Sequence, residues 1–204
     1  MQYIFRPATD QTIGQVLLLL HGTGGDEHSL VALGEALLPG AALLGVRGSV
    51  REGTANRFFR RLEEGVFDLD DVVVRAKELA DFLDQTLPQL GLVPSQLTAV
   101  GFSNGANMAT LMMLLQLEHL QSAIAIRGQT VLLPDPMPDL TGSRLLLLSG
   151  EFDPLVPVTD AKNLATTMAA HGAEVTHEVL LSGHNLTQAD FEIAKAWLAQ
   201  KTQA

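Results

Sequence analysis

Ser103 stands between two glycines in the run Gly101-Phe102-Ser103-Asn104-Gly105. An apolar run, Leu97 to Val100, leads in, and a long apolar segment, Ala106 to Leu117, leads out. That reads as a strand, a tight turn and a helix, with a serine at the apex. A serine turned outward there needs strained backbone. The strand and helix then pass so closely that the flanking positions must lack bulk. The helix N-terminus points at whatever the serine attacks and favours negative charge there. Taken alone, the pattern also suits a strand-to-helix turn carrying a solvated serine, so the remaining parts of a nucleophilic site must be sought elsewhere.

A hydroxyl is a poor nucleophile at neutral pH. It needs a base within hydrogen-bond reach, and the base needs an acid to fix its tautomer and steady its charge. For a serine in this setting the chain order is serine, acid, histidine. Ser103, Asp153 and His184 satisfy that order, and each follows an expected strand. His184 lies between Gly183 and Asn185 in the last strand-to-helix loop. His21 precedes the serine and reads as an anchor of its own loop. His28, His119, His171 and His177 fall in or at the ends of helices and strands. Among other acids, Asp135 and Asp139 lie in a proline-rich loop, Asp160 starts a helix, and Glu151 is two residues early.

Attack on a carbonyl also places negative charge on its oxygen, which preorganised N–H groups must hold. One is expected from the Asn104 backbone. The other is expected from Thr23, in the loop His21-Gly22-Thr23-Gly24-Gly25-Asp26-Glu27, where glycines allow close approach. Gly22-x-Gly24 is also half of a dinucleotide fingerprint, but Glu27 occupies the third glycine position and would face a pyrophosphate. No phosphate-binding Gly-Lys-Ser/Thr, no His-Glu-x-x-His and no acidic calcium loop occurs. No cofactor and no metal are expected.

The elements that must position these groups alternate along the chain. Strands are expected at Tyr3 to Arg6, Val16 to Leu20, Ala41 to Val46, Leu97 to Val100, Ala123 to Ile126, Arg144 to Leu148 and Glu174 to Leu181. Helices are expected at His28 to Leu38, Asp68 to Leu87, Thr159 to His171 and Thr187 to Gln200, besides the apolar one after Ser103. Arg47 to Gly65 reads as a polar connection with an aromatic patch, and Gly128 to Gly142 as a loop. This alternation predicts an α/β domain over residues 1–204, a mostly parallel sheet flanked by helices on both faces. Ligands of such sheets sit at the carboxyl ends of the strands, where the loops after Leu20, Val100, Leu148 and Leu181 emerge.

With 47% hydrophobic and 18% charged residues, the 204-residue chain can build a sizeable core. The net charge of −10 argues against nucleic acid or an anionic membrane surface as a partner. There is no cysteine, hence no thiol nucleophile and no disulfide. No signal peptide or membrane span is seen, and a cytoplasmic location is expected.

Leu20-His21-Gly22-Thr23-Gly24-Gly25, Gly101-Phe102-Ser103-Asn104-Gly105-Ala106, Gly150-Glu151-Phe152-Asp153-Pro154-Leu155-Val156-Pro157 and Gly183-His184-Asn185-Leu186-Thr187 together resemble the phospholipase/carboxylesterase family of α/β-hydrolases. Its members include small bacterial carboxylesterases and acyl-protein thioesterases. The resemblance spans nearly the whole chain. It implies a minimal single-domain α/β-hydrolase without a separate lid domain, a Ser103–Asp153–His184 triad and no cofactor. Arg47-Gly48 with Asn56-Arg57-Phe58-Phe59-Arg60-Arg61 looks like a narrower branch, of uncharacterised hydrolases or hydrolases linked to quinone and aromatic degradation. Asn104 departs from the Gln that thioesterase-type members often carry, so their substrate preference does not simply transfer.

The expected activity is hydrolysis of small or medium apolar or aromatic carboxylic esters through an acyl-enzyme on Ser103. A thioesterase or acyl-transfer enzyme is the nearest alternative, and a non-catalytic ligand-binding module on the same fold a further one. Phe58, Phe59, Leu155, Val156 and Leu186 are candidate walls of the substrate pocket, with ordinary core packing the alternative for the two phenylalanines. The apolar content permits a homodimer.

Overall fold

The computed structural model describes residues 1–117 and 120–201. Seven strands form one sheet: β1 (Tyr3–Arg6), β2 (Val16–Leu20), β3 (Ala42–Val46), β8 (Leu97–Phe102), β9 (Ser122–Ile126), β10 (Arg144–Gly150) and β11 (Glu174–Leu180). Their spatial order is β1-β3-β2-β8-β9-β10-β11. Only β1 runs antiparallel, against β3; every other pairing is parallel. The central strands are continuous apolar runs because both faces are covered.

Alternate residues of each strand feed opposite layers. Val16, Leu18 and Leu20 of β2 face one layer, with Ala99 of β8 and Leu145 and Leu147 of β10. The helices there are α2 (Leu69–Gln89), α3 (Asn104–Leu114) and α4 (Val158–Ala170). Leu17 and Leu19 face the other layer with Val100, Ile124, Leu146 and Leu148. That layer holds α1 (Val31–Leu37) and α5 (Gln188–Lys201), the latter through Ala194, Trp197 and Leu198. Every residue of α3 is buried, which explains its apolar composition on all sides.

This is a single-domain α/β-hydrolase-like fold, and no separate lid insertion is seen among the described residues. Nor is any described helix long and apolar enough to cross a membrane.

Three stretches differ from the sequence expectation. Helix α1 begins at Val31 rather than His28, because Asp26 draws residues 26–29 into a turn. Its Oδ1 accepts from the His28 N–H at 3.0 Å and from Ser29 Oγ at 3.1 Å. Helix α2 runs through Pro88 to Gln89. Proline forfeits its own N–H bond and crowds the carbonyl one turn before it, but it stands next to the helix end, where Leu90 and Leu92 N–H groups close the last turn on Thr86 and Leu87 carbonyls. The connection from Arg47 to Gly65 is two hairpins. Strand β4 (Val50–Glu52) pairs with β5 (Ala55–Arg57), and β6 (Arg61–Glu63) pairs with β7 (Val66–Phe67). Each turns at a glycine of positive φ, Gly53 or Gly65.

The carboxyl ends of β2 and β8 lie side by side, Leu20 opposite Gly101. Helix α3 crosses them so tightly that a Cβ on Gly105 would run into the Leu20 carbonyl, and one on Gly101 would lie 2.6 Å from the Ala106 nitrogen. Gly105→Ala is therefore expected to push α3 off the sheet, destabilising the protein by about 1–3 kcal/mol or more. A urea unfolding curve for the variant measures this directly.

Candidate active site

Strand β8 ends at Phe102, and Ser103 follows with φ 51° and ψ −112°. This is strained backbone for a residue other than glycine. Bonds on both sides hold it. The Ser103 N–H donates to the Ile126 carbonyl at 2.8 Å, and its carbonyl accepts from the Asn107 N–H at 2.9 Å. The hydroxyl is thereby turned out of the sheet edge.

His184 reaches it from the loop after β11. Its Nε2 lies 3.0 Å from Ser103 Oγ, and its Nδ1 lies 2.8 Å from Asp153 Oδ2. Asp153 comes from the loop after β10. Its other oxygen accepts from the Leu155 and Val156 N–H groups at 2.8 and 3.1 Å. Both carboxylate oxygens are thus occupied as acceptors, which matches a side chain only 1% exposed. The Asp153 contact sets the proton on Nδ1 and leaves Nε2 to accept from the serine. The Phe102 ring packs against the imidazole at 5.4 Å between centroids.

The histidine loop is fastened by a residue that sequence reading passed over. Arg127 ends β9 with φ 58° and is fully buried. Its Nε donates to the Gly183 carbonyl at 2.8 Å, and Nη2 to Ser182 Oγ and the Asn185 carbonyl at 3.0 and 3.1 Å. Asp190 receives a bidentate pair from Nη1 and Nη2 at 2.7 and 2.9 Å. Asp190 also accepts from the Thr187 N–H and hydroxyl at the head of α5. One guanidinium therefore holds the residues before and after His184. The signal in the sequence was an arginine at the end of a five-residue apolar strand.

The loop carrying Thr23 is fastened from the first hairpin. Gly24 N–H donates to the Asn56 carbonyl, Asn56 Nδ2 to the Gly25 carbonyl, and Arg57 Nη1 to Thr23 Oγ1 at 2.8 Å. His21 sits beneath, 1% exposed. Its Nε2 accepts from the Gly48 N–H at 3.0 Å and its Nδ1 donates to the Gly22 carbonyl at 2.7 Å. A Cβ on Gly22 would fall 2.7 Å from the Phe102 ring, so this loop lies directly against the serine turn. Among the described residues no protein acceptor takes the backbone N–H of Thr23 or Asn104.

Ser103 and His184 open on a small cavity of about 70 Å³. Leu155 and Val156 line one side; Arg57, Arg61 and Phe67 line another. Phe58 and Phe59 are not in its wall. Both are fully buried, Phe58 stacked on His21 at 4.8 Å and Phe59 edge-on to Phe67 at 5.4 Å. The Phe58 N–H is tied to Asn104 Oδ1 at 2.7 Å, which keeps this chain segment against α3. Leu186 is 40% exposed and outside the cavity lining. The wall is thus more polar than an apolar pocket.

The other candidate histidines and acids take different work. His28 faces Glu27 at 3.5 Å on the surface. His171 bonds the Thr167 carbonyl, and His177 bonds Ser149 Oγ. His119 lies outside the described residues. Asp139 closes a turn on Thr141, and Asp160 lies in the first turn of α4. No group of three or more metal-binding side chains occurs among the described residues.

The sheet order, with a serine turn at its carboxyl edge, is that of the α/β-hydrolase fold. Residues 60–202 match the family model described as Phospholipase/Carboxylesterase. The chain belongs to that family. It is 40% identical over 197 residues to the putative hydrolase MhqD of Bacillus subtilis (strain 168), covering 97% of each chain. Its fold matches the crystal structure of the Bacillus cereus carboxylesterase with a TM-score of 0.94 at 35% identity, over 98% of this chain and 94% of that one. It matches YahD, solved with malic acid, with a TM-score of 0.91 at 29% identity over 98% of both chains. The family is one of ester hydrolases.

Two outcomes follow from the fastenings. Arg127→Met removes the clamp and leaves Asp190 buried without its cation, which is expected to cost about 3–5 kcal/mol of stability. Adding Asp190→Asn should restore part of it in urea unfolding. Burial also holds the imidazoles of His21 and His177 below their ordinary value of 6.5. The unfolded chain then takes up protons that the folded one refuses, so stability falls as pH drops below about 6.5 and is level above it. Unfolding free energies between pH 7.5 and 5.5 should show this slope, and His21→Asn should flatten it.

Proposed function

We propose that the protein is a serine carboxylesterase in which Ser103, His184 and Asp153 act as a triad. His184 Nε2 takes the Ser103 proton as Oγ attacks the ester carbonyl carbon. Asp153 holds the imidazole in place and steadies the imidazolium. Thr23 and Asn104 N–H groups receive the oxyanion. The carbon–oxygen bond to the alcohol breaks, and His184 returns the proton to that leaving oxygen. Water, deprotonated by the same imidazole, then releases the acid and frees Ser103.

The observation that carries this reading is the continuous hydrogen-bonded series from Ser103 Oγ through both nitrogens of His184 to Asp153, opening on the cavity. The two unused N–H groups support the oxyanion role. The similarity to the Bacillus cereus carboxylesterase supports oxygen esters as the substrate class.

Stopped-flow mixing with p-nitrophenyl acetate tests the reading. The native protein is expected to release nitrophenol in a burst of one equivalent per chain. Ser103→Ala should show none, with kcat lowered by roughly 10⁴–10⁶, and Asp153→Asn should lose about 10⁴. Turnover that survives Ser103→Ala unchanged would refute the acyl-enzyme.

A further inference from the structure

A donor not taken up by the protein lies in the wall beside Ser103. Arg57 and Asn104 both line the cavity, yet they are only 4% and 3% exposed. A guanidinium offers five N–H groups. Arg57 Nε donates to the Phe59 carbonyl at 3.2 Å, and Nη1 to Thr23 Oγ1. Nη2 has no hydrogen-bond acceptor among the described residues. The ion-pair partner of Arg57 is Glu52, at 3.4 Å from Nε. That carboxylate is engaged more closely by Arg61, at 2.8 to 3.1 Å, and is 43% exposed. Glu64 also borders the cavity, from an exposed position. Burial lowers the Arg57 pKa from its ordinary value, so the site holds its charge against desolvation.

Asn104 lies beside it. Its Oδ1 accepts from the Phe58 N–H, which fixes which way round the amide lies. Its Nδ2 is buried, without accessible surface on the cavity, so Arg57 is the donor that remains for a ligand.

We infer that this wall is a carboxylate subsite: the preferred ester carries a carboxylate on the portion that enters the cavity, where Arg57 is its cationic partner. The inference rests on the esterase reading and narrows its substrate class. Charge-assisted bonds between guanidinium and carboxylate are short and directional, and a buried cation gains more from them than an exposed one. An apolar ester of equal length would leave the Arg57 Nη2 donor without a partner. The reaction itself is unchanged, since the carboxylate takes no part in bond making.

The experiment compares kcat/KM in a pH-stat for two ester pairs of similar size. Monomethyl succinate against methyl butyrate puts the carboxylate on the acyl side. O-acetylglycolate against ethyl acetate puts it on the alcohol side. One carboxylate ester is expected to lead its neutral counterpart by roughly tenfold to a hundredfold, the range of a charge-assisted bond. Which pair shows the preference identifies the side. Arg57→Gln should bring the ratio to one or below. Asn104→Asp, which keeps the Phe58 contact and adds a like charge, should lower it as well; both variants are checked for folding by thermal melting. Hydrolysis of the neutral esters with no preference in either pair overturns the subsite while leaving the esterase reading intact. Saturation-transfer NMR with succinate on Ser103→Ala tests the subsite without turnover. A signal lost in Ser103→Ala/Arg57→Gln supports it. No signal in Ser103→Ala, or one unchanged by the second substitution, overturns it.

Discussion

A fully buried arginine paired with a buried aspartate holds the loop that carries His184. The loop after β11 has no strand neighbour beyond it, because β11 is the edge of the sheet. A histidine on such a loop would wander by more than a hydrogen bond tolerates. Arg127 removes that freedom by bonding Ser182, Gly183 and Asn185 at once. The guanidinium itself is held by Asp190 and by the end of β10 through the Leu148 carbonyl. Burying this pair strips two charges of water, a loss that only near-complete hydrogen bonding offsets. Asp190 meets that condition by also capping α5 through Thr187. The ion pair thus joins the histidine loop, the strand beside the serine strand and the last helix.

The opposite side of the site is organised in a similar way by a mixture of neutral and charged groups. His21 props the Thr23 loop from below, accepting from Gly48 and donating to Gly22. Asn56 and Arg57 grip the same loop from the first hairpin. Glu27 receives Arg47 in a bidentate ion pair, with Nη2 at 2.9 Å from Oε1. The Glu27 backbone passes so close to Gly45 that no side chain fits there. Donors for a developing negative charge are effective only if they need not reorganise when it appears. Fastening the loop at several points supplies that rigidity, and the same bonds leave the Thr23 N–H free of any protein acceptor among the described residues.

Much of this was legible in the sequence because it repeats simple constraints. Val16 to Leu20 could only be a strand covered on both faces. The glycines around Ser103 declare a close crossing, and the order Ser103, Asp153, His184 follows from strand order. The hairpins between Arg47 and Gly65 were not legible. Their strands are two or three residues long, too short for alternation to show, and polar residues dominate them. Phe58 and Phe59 looked equally suited to a pocket wall or a core, since an aromatic pair carries no directional signal. They pack on His21 and Phe67, and the Phe58 N–H is tied to Asn104, 46 positions away. Arg127 and Arg57 were hidden for a related reason: a buried arginine is recognisable only once its distant acceptors are assembled.

Both walls of the cavity are made of chain that also holds the chemistry. Leu155 and Val156 present side chains to the cavity while their N–H groups grip Asp153. Arg57 borders it while bonding Thr23. The stretch from Gly128 to Gly142 is different: Gln129 touches the cavity, but none of the three hydrogen-bonded side chains comes from it. Lengthening or shortening either wall would displace a reacting group, whereas exchanging a side chain would not. Exchanging Arg57 is the exception among the wall side chains, because its guanidinium also holds Thr23.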